Sequence, residues 1–351
     1  MSREIAIAGR PIGRDHRPYI VAELSANHLG GIERAFAIMA AAKRAGADAV
    51  KLQTYTADTI TIDHDGPSFI LEGGLWHGRR LYELYQEAHT PWDWHATLFA
   101  KGRELGLAVF STPFDETAID LLEQLDAPAY KIASFEAIDL PLIARVAATG
   151  KSLIISTGMA TREEIGEALA AARGAGARDI VLLHCVSSYP ARVEDSNLRT
   201  ISDMAAAFDV LVGLSDHTLG TGVAVAATAL GACLIEKHLT LARADGGPDS
   251  AFSLEPDELA HLVEDTTIAH AALGRINYAP EASEAAMRRL RRSLYVVAEM
   301  AAGEVFTLRN LRSIRPGLGL APRHLPDILG RRARTAIARG TPMGWDLVET
   351  G

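Results

Sequence analysis

The sequence predicts an α/β protein: a closed (β/α)8 TIM barrel over residues 1–274, followed by a small second domain. Three observations predict it. Eight short apolar strands run along the first 240 residues or so. Amphipathic stretches of helical period separate them. Most of the strands are near-continuous apolar runs rather than alternating ones, which suits parallel strands buried on both faces. An open doubly wound sheet is the alternative; it normally carries a Gly-rich first turn, whereas here the turn reads LSANHLGG.

The elements follow in order. The first strand is 19–23, and its helix, 32–46, ends on an Ala-Gly pair suited to a left-handed C-cap. The second strand, 49–54, opens the longest connection of the chain. That connection holds a helical LYELYQEA and then the regular barrel helix in PWDWHATLFAKGRELG. A connection this long is usually functional or carries its own helices. The third strand is 108–114 with helix 116–125, and the fourth is 129–135 with helix 141–150. The fifth, 152–158, precedes helix 161–176, which opens on TREE, a capping-box pattern. The sixth to eighth strands are 179–186, 210–217 and 233–240, with helices 201–208, 221–231 and 255–274. After Gly274 the composition shifts. Residues 275–292 read as a polar linker with a basic helical piece, and 293–351 as a domain too small for a large catalytic centre of its own.

Bulk properties bound the function. The net charge of −9 argues against nucleic acid as a partner. The two cysteines, Cys185 and Cys233, lie in apolar strands and read as reduced core residues of a cytoplasmic protein. The start, MSREIAIAGRPIG, lacks the apolar run of a signal peptide, and no stretch reads as a membrane span.

Barrels of this kind do their chemistry where the C-terminal ends of the strands converge. The polar residues there are Glu23; Lys51 and Gln53; Ser111 and Thr112; Lys131 and Ser134; Ser156 and Thr157; His184; Ser215, Asp216 and His217; and Glu236 and His238. Lysines inside the apolar runs AVKLQT and AYKIAS each need an anion, because an unpaired buried ammonium costs several kcal/mol. Pairing with Glu23 or Glu236 is one answer. Two lysines with several hydroxyls at one mouth better fit a phosphate or carboxylate ligand, and a Schiff base with a carbonyl substrate is a third chemistry. His217 and His238, on neighbouring strand ends with Glu236, point to a divalent metal such as Mn2+, Co2+, Fe2+ or Mg2+ with open positions; no thiolate cluster suggests structural zinc. Asp249, in ADGGPDSAFSLEP, is placed either to bind hydroxyls or amides or simply to make a turn.

These residues resemble a known family. AELSANH, KLQTYT, FSTPF, YKIAS, STGM, HCVSSYP, GLSDHTLG, IEKH and GGPDSAFSLEP, in this order, are similar to the sialic acid synthases, and GEVFTLRNL with IRPGLG resembles their C-terminal antifreeze-like (SAF) domain. The resemblance covers nearly the whole chain. Within the family, AELSANH, KLQTYT, LYELYQEAHTPW, HCVSSYP and DSAFSLEP are most similar to the branch that makes pseudaminic acid. It implies a carbon-carbon bond-forming transferase that condenses phosphoenolpyruvate with 2,4-diacetamido-2,4,6-trideoxy-L-altrose and releases phosphate. Other branches take N-acetylmannosamine or the legionaminic acid precursor.

The resemblance also implies roles. Lys51, Thr112, Lys131, Ser134, Ser156 and Ser215 would bind phosphoenolpyruvate. His217 and His238 would hold a divalent metal (Mn2+, Co2+ or Mg2+), with Glu236 orienting a water there. Glu23, Gln53, Tyr189 and Asp249 would contact the acceptor, Glu23 also moving a proton. Arg315 would reach the acceptor's acetamido group from the other subunit of a domain-swapped homodimer. His184 receives no role. A metal-dependent barrel aldolase or hydrolase, and a non-catalytic sugar-binding protein, are the competing classes.

Overall fold

The structure is a computed structural model that describes residues 4–350. The chain divides into two compact units, Met1–Gly274 and Arg275–Gly351. The first is a closed barrel. It opens with a hairpin of β1 (Glu4–Ile7) and β2 (Arg10–Gly13). Eight parallel strands follow: β3 (Tyr19–Glu23), β4 (Ala49–Thr54), β5 (Ala108–Pro113), β6 (Ala129–Ile132), β7 (Ser152–Ser156), β8 (Ile180–Cys185), β9 (Leu211–Ser215) and β10 (Leu234–His238). They close in chain order, with β10 pairing β3.

Helices α1 (Ile32–Ala45), α4 (His95–Leu105), α5 (Glu116–Gln124), α6 (Leu140–Ala147), α7 (Arg162–Gly174), α8 (Arg199–Phe208), α9 (Gly222–Ala229) and α10 (Pro256–Leu273) follow the strands in turn. The connection after β4 adds the short α2 (Ala57–Ile60) and α3 (Leu81–Ala88), the latter on LYELYQEA. The TREE pattern is a capping box: Thr161 Oγ1 accepts from Glu164 N, and Glu164 Oε2 accepts from Thr161 N at 2.7 Å. Gly46 closes α1 at φ 91°, a left-handed conformation that glycine adopts without steric cost.

Strand parity sorts the residues. Side chains alternate across a strand, so one set packs outward on the helices and the other fills the lumen. The outward set, including Ile20, Leu52, Ile132, Ile155 and Leu182, forms one core with the helices. The inward set, including Tyr19, Val21, Phe110, Ile154, Val181 and Leu183, joins Ile5, Ile7 and Ile12 of the hairpin in a second apolar cluster. The hairpin therefore closes the N-terminal end of the lumen, a role not visible in MSREIAIAGRPIG. Each hairpin strand is only four residues, too short for a periodicity to show.

Several strands stop earlier than the apolar runs suggest. β6 ends at Ile132, where a 3-10 turn, Ser134–Glu136, takes over, and β9 ends at Ser215 rather than at His217. Ser134 thus stands on that turn, and His217 on the loop just past β9.

In the second unit a short helix, α11 (Ala285–Arg288), precedes β11 (Ser293–Val296), which pairs antiparallel with β12 (Leu311–Ile314); α12 (Leu325–Ile328) follows. Its core comprises Leu294, Val296, Phe306, Ile328, Ile337, Met343 and Val348 among others. Among the described residues no helix is long and apolar enough to cross a membrane.

Candidate active site at the C-terminal mouth of the barrel

The inward positions nearest the strand ends are charged. Glu23 faces Lys51 across β3–β4, and His238 and Glu236 share β10 with inward parity. The two lysines meet carboxylates of the same chain. Lys51 Nζ lies 3.0 Å from Glu23 and 2.8 Å from Glu236, and Lys131 Nζ lies 3.3 Å from the same Glu236 oxygen. Pairing with Glu23 and Glu236, one of the answers the sequence offered, is what these contacts show: the register brings β3, β4, β6 and β10 to one layer, so both carboxylates are within reach. All four groups are almost fully buried.

Burial shifts each group, and the neighbours decide the direction. Burial raises the Glu23 carboxyl, Lys51 opposes this only in part, and the Glu236 charge adds to the rise. Burial also pushes Glu236 up, but Lys131 and Lys51 together outweigh it and hold the carboxylate well below its ordinary range. Burial lowers Lys131 to about 8, with Glu236 opposing and Lys51 reinforcing. For Lys51 the carboxylates outweigh burial and raise it. The layer therefore combines a carboxyl biased toward its protonated form, a firmly ionised carboxylate and two ammonium groups.

Hydroxyls surround this layer. Thr112 Oγ1 and Ser156 Oγ are buried without a partner, and Ser215 Oγ reaches Glu236 only at 3.4 Å. A buried hydroxyl without a partner costs roughly 1–3 kcal/mol, so these oxygens are positioned for something not of this chain. Ser134 Oγ accepts from Gly158 N at 3.1 Å. A Cβ on Gly158 would stand 2.2 Å from Ser187 Oγ and 2.8 Å from Ser134 Oγ, so only glycine leaves this polar cradle open.

Beside the lysines, His217 and His238 face each other with ring centroids 5.5 Å apart. His217 Nδ1 donates to Val186 O at 3.0 Å, which leaves Nε2 bare for a ligand. His238 Nδ1 and Glu236 Oε2 are buried without partners. Burial, then the neighbouring His217 and Lys51 charges, keep the His238 imidazole neutral, the form that ligates. These donors fit a divalent cation of borderline hardness. Among the described residues, no group of three or more His, Cys, Asp or Glu side chains is arranged to hold a metal ion.

A second network lies next to Glu23. Gln53 Nε2 donates to Glu23 Oε1 at 3.2 Å and to Ser25 Oγ at 3.1 Å, and Ser25 Oγ donates to Asp249. Asp249 is thus a partner within the mouth rather than a plain turn residue. Tyr189 packs on His217 at 4.5 Å. Arg315 is exposed in the second unit, directly after β12.

Not every polar strand-end residue points inward. His184 is one step out of phase with Cys185, and its Nε2 donates to Ser196 O at 2.6 Å. It faces away from the mouth; Cys185 is the inward residue of β8, with Sγ 3.9 Å from His217 Nδ1. Ser111 likewise turns outward to bond Thr54, which bonds His95. Asp216 turns outward to Lys237 at 3.0 Å. In AELSANH the asparagine is a brace, Asn27 Nδ2 donating to Leu239 O and Ser253 Oγ. Ser25, Ser187, Phe252 and Trp76 also belong to the mouth; the serines sit in motifs whose parity or loop path the sequence does not reveal.

Residues 38–278 match the NeuB family, and residues 291–349 match the SAF domain. The chain belongs to the NeuB family. It is 44% identical to the pseudaminic acid synthase of Helicobacter pylori over 336 residues, covering 95% of this chain and 98% of that protein. It is 35% identical to the N,N'-diacetyllegionaminic acid synthase of Legionella pneumophila, over 97% of each chain. Among solved structures it is similar to the N-acetylneuraminic acid synthetase of Leptospira borgpetersenii, crystallised with citrate, at 31% identity and a TM-score of 0.73, covering 82% of this chain and 95% of that one. The relatives are synthases of one chemical class that differ in the sugar acid named.

Proposed function

We infer that this NeuB protein condenses phosphoenolpyruvate with 2,4-diacetamido-2,4,6-trideoxy-L-altrose and water, giving pseudaminic acid and phosphate. The observation that carries this reading is the pairing of two buried lysines with partnerless hydroxyls at one barrel mouth. Its likeness to pseudaminic acid synthases at 42–44% identity supports the choice of acceptor over the more distant legionaminic branch.

Lys51 and Lys131, with Thr112, Ser134, Ser156 and Ser215, clamp the phosphate and carboxylate of phosphoenolpyruvate. Glu23, Gln53, Tyr189 and Asp249 hold the acceptor with its aldehyde toward the methylene carbon of phosphoenolpyruvate. That carbon attacks the aldehyde carbon, a carbon–carbon bond forms, and the aldehyde oxygen takes the proton that Glu23 carries. The phosphate-bearing carbon, now an oxocarbenium, adds a water that Glu236 orients and deprotonates. Collapse of this centre breaks its bond to the phosphate oxygen, the hydroxyl proton leaves with the departing phosphate, and the 2-keto acid remains. A divalent cation (Mn2+, Co2+ or Mg2+) held by His217 and His238 supplies Lewis acidity for the aldehyde oxygen when bound.

The second unit completes the acceptor site across a domain-swapped homodimer, with Arg315 binding an acetamido group.

Phosphate release over a panel of the three acceptor sugars tests the reading. Turnover is expected with the diacetamido trideoxy sugar; turnover only with N-acetylmannosamine or the legionaminic acid precursor would reassign the product. Chelation with EDTA is expected to abolish release, and added Mn2+ to restore it. Mixing Arg315→Ala with Glu23→Gln chains should regain activity through hybrid dimers; no regain would sink the shared site.

A further inference from the structure

The long connection after β4 does more than bridge to α4. Residues 70–80 form a tongue: Ile70 and Arg80 pair antiparallel, Leu71 N donates to Arg79 O at 2.9 Å, and Gly78 N donates to Leu71 O at 2.8 Å. Gly73, Gly74 and Gly78 all have positive φ, which lets the tongue turn back within so few residues. Arg80 ties its base to Asp63 and Glu83. Trp76 stands at its tip, and its Nε1 donates to Pro248 O at 2.9 Å, on the loop that carries Asp249.

Trp76 extends a row of rings. His217 packs on Tyr189 at 4.5 Å and His238 on Phe252 at 4.8 Å; Tyr189 and Phe252 meet at 5.1 Å. Trp76 covers this pair, 5.4 Å from Tyr189 and 6.5 Å from Phe252. The site is thus two-sided. Toward the lysines it offers charge and hydroxyls, and toward the tongue it offers three aromatic rings, with no charged side chain among these contacts. The indole is only partly buried, so part of its ring remains available to a ligand.

We propose that Trp76, with Tyr189 and Phe252 beneath it, is a specificity-determining wall that selects acceptors ending in a methyl group over those ending in a hydroxymethyl. The proposal rests on the acceptor class inferred above. An aldehyde end anchored beside His217 and His238 leaves the far end of the sugar to extend along the rings. A 6-deoxy terminus buries a methyl there, whereas a hydroxymethyl loses its water hydrogen bonds without a replacement. Discrimination at one such position in an apolar pocket is worth about 10–200-fold.

The test compares 2,4-diacetamido-2,4,6-trideoxy-L-altrose with its 6-hydroxy counterpart in wild type, Trp76→Phe and Trp76→Ala, reading phosphate release. In Trp76→Ala the KM for the 6-deoxy sugar is expected to rise about 10-fold and the 6-deoxy preference in kcat/KM to shrink by roughly the same factor. The KM for phosphoenolpyruvate and the Tm should hold, and Trp76→Phe should retain most of the preference. A preference unchanged in Trp76→Ala, or lost together with phosphoenolpyruvate affinity, would overturn the proposal while leaving the acceptor assignment standing. Wild type that turns over neither sugar would overturn both.

Discussion

The two halves of the barrel lumen are lined by the same eight strands with the same inward parity, and they are filled in opposite ways. The N-terminal half holds Ile5, Ile7, Ile12, Tyr19, Val21, Phe110, Ile154 and Val181 in one dry cluster. One or two inward positions further along, Lys51, Lys131, Glu23, Glu236, Thr112, Ser156 and Ser215 replace them. Burying a large apolar side chain stabilises by about 1.5–3 kcal/mol, whereas burying a charge costs several kcal/mol before pairing. The difference teaches a division of labour along each strand: the dry half, sealed by the hairpin, stabilises a scaffold that can tolerate a charged, partly unsatisfied mouth.

That division can be broken from either end. The largest effect is expected in the dry half. Phe110→Ala should destabilise by about 3–5 kcal/mol, measured by denaturant unfolding, while the KM for phosphoenolpyruvate stays as it was; a shifted KM with intact stability would contradict the division. In the charged half, Lys131→Ala should raise that KM about 100-fold, the upper range for loss of a charged hydrogen bond, with a smaller change in stability. Steady-state phosphate release measures it, and an unchanged KM counts against Lys131 as a clamp. Gly158→Ala should cost less, about 10-fold in the same KM, because the new methyl must displace Ser187 and Ser134 at an estimated 1–3 kcal/mol.

The smallest effect is a pH dependence. Burial lowers Lys131 to about 8, so its positive charge is lost as pH rises through that value. The kcat/KM for phosphoenolpyruvate should therefore fall above about pH 8. Lys131→Arg keeps its charge throughout, and its profile should lack this limb; an identical limb in both proteins would assign it to another group.

Much of the barrel was legible because buried parallel strands must be apolar, and runs such as YIVAE, SLIIS and IVLLHC have strand length and recur between helical stretches. The buried lysine and histidine positions stood out for a related reason, since a lysine or histidine inside such a run needs a partner. Legibility failed where parity decides. His184 and Cys185 are adjacent in one apolar run, and only the register of β8 against β7 and β9 sends the thiol inward and the imidazole to Ser196. It failed again for the hairpin, whose residues 4–13 show no clear pattern until the lumen they close is present. For Trp76 the signal was only an overlong connection.

The sequence by itself determined the order of strands and helices, the polar identity of the strand ends and the family, because these are encoded in local periodicity and in motifs of contiguous residues. Tertiary structure alone decided that Lys51 and Lys131 share Glu236, that Ser25 joins Gln53 to Asp249, and that Trp76 meets Tyr189 and Phe252. Those contacts join residues up to 224 positions apart. Barrel closure and strand register set which side chains meet, and neither is written in any single stretch of the chain.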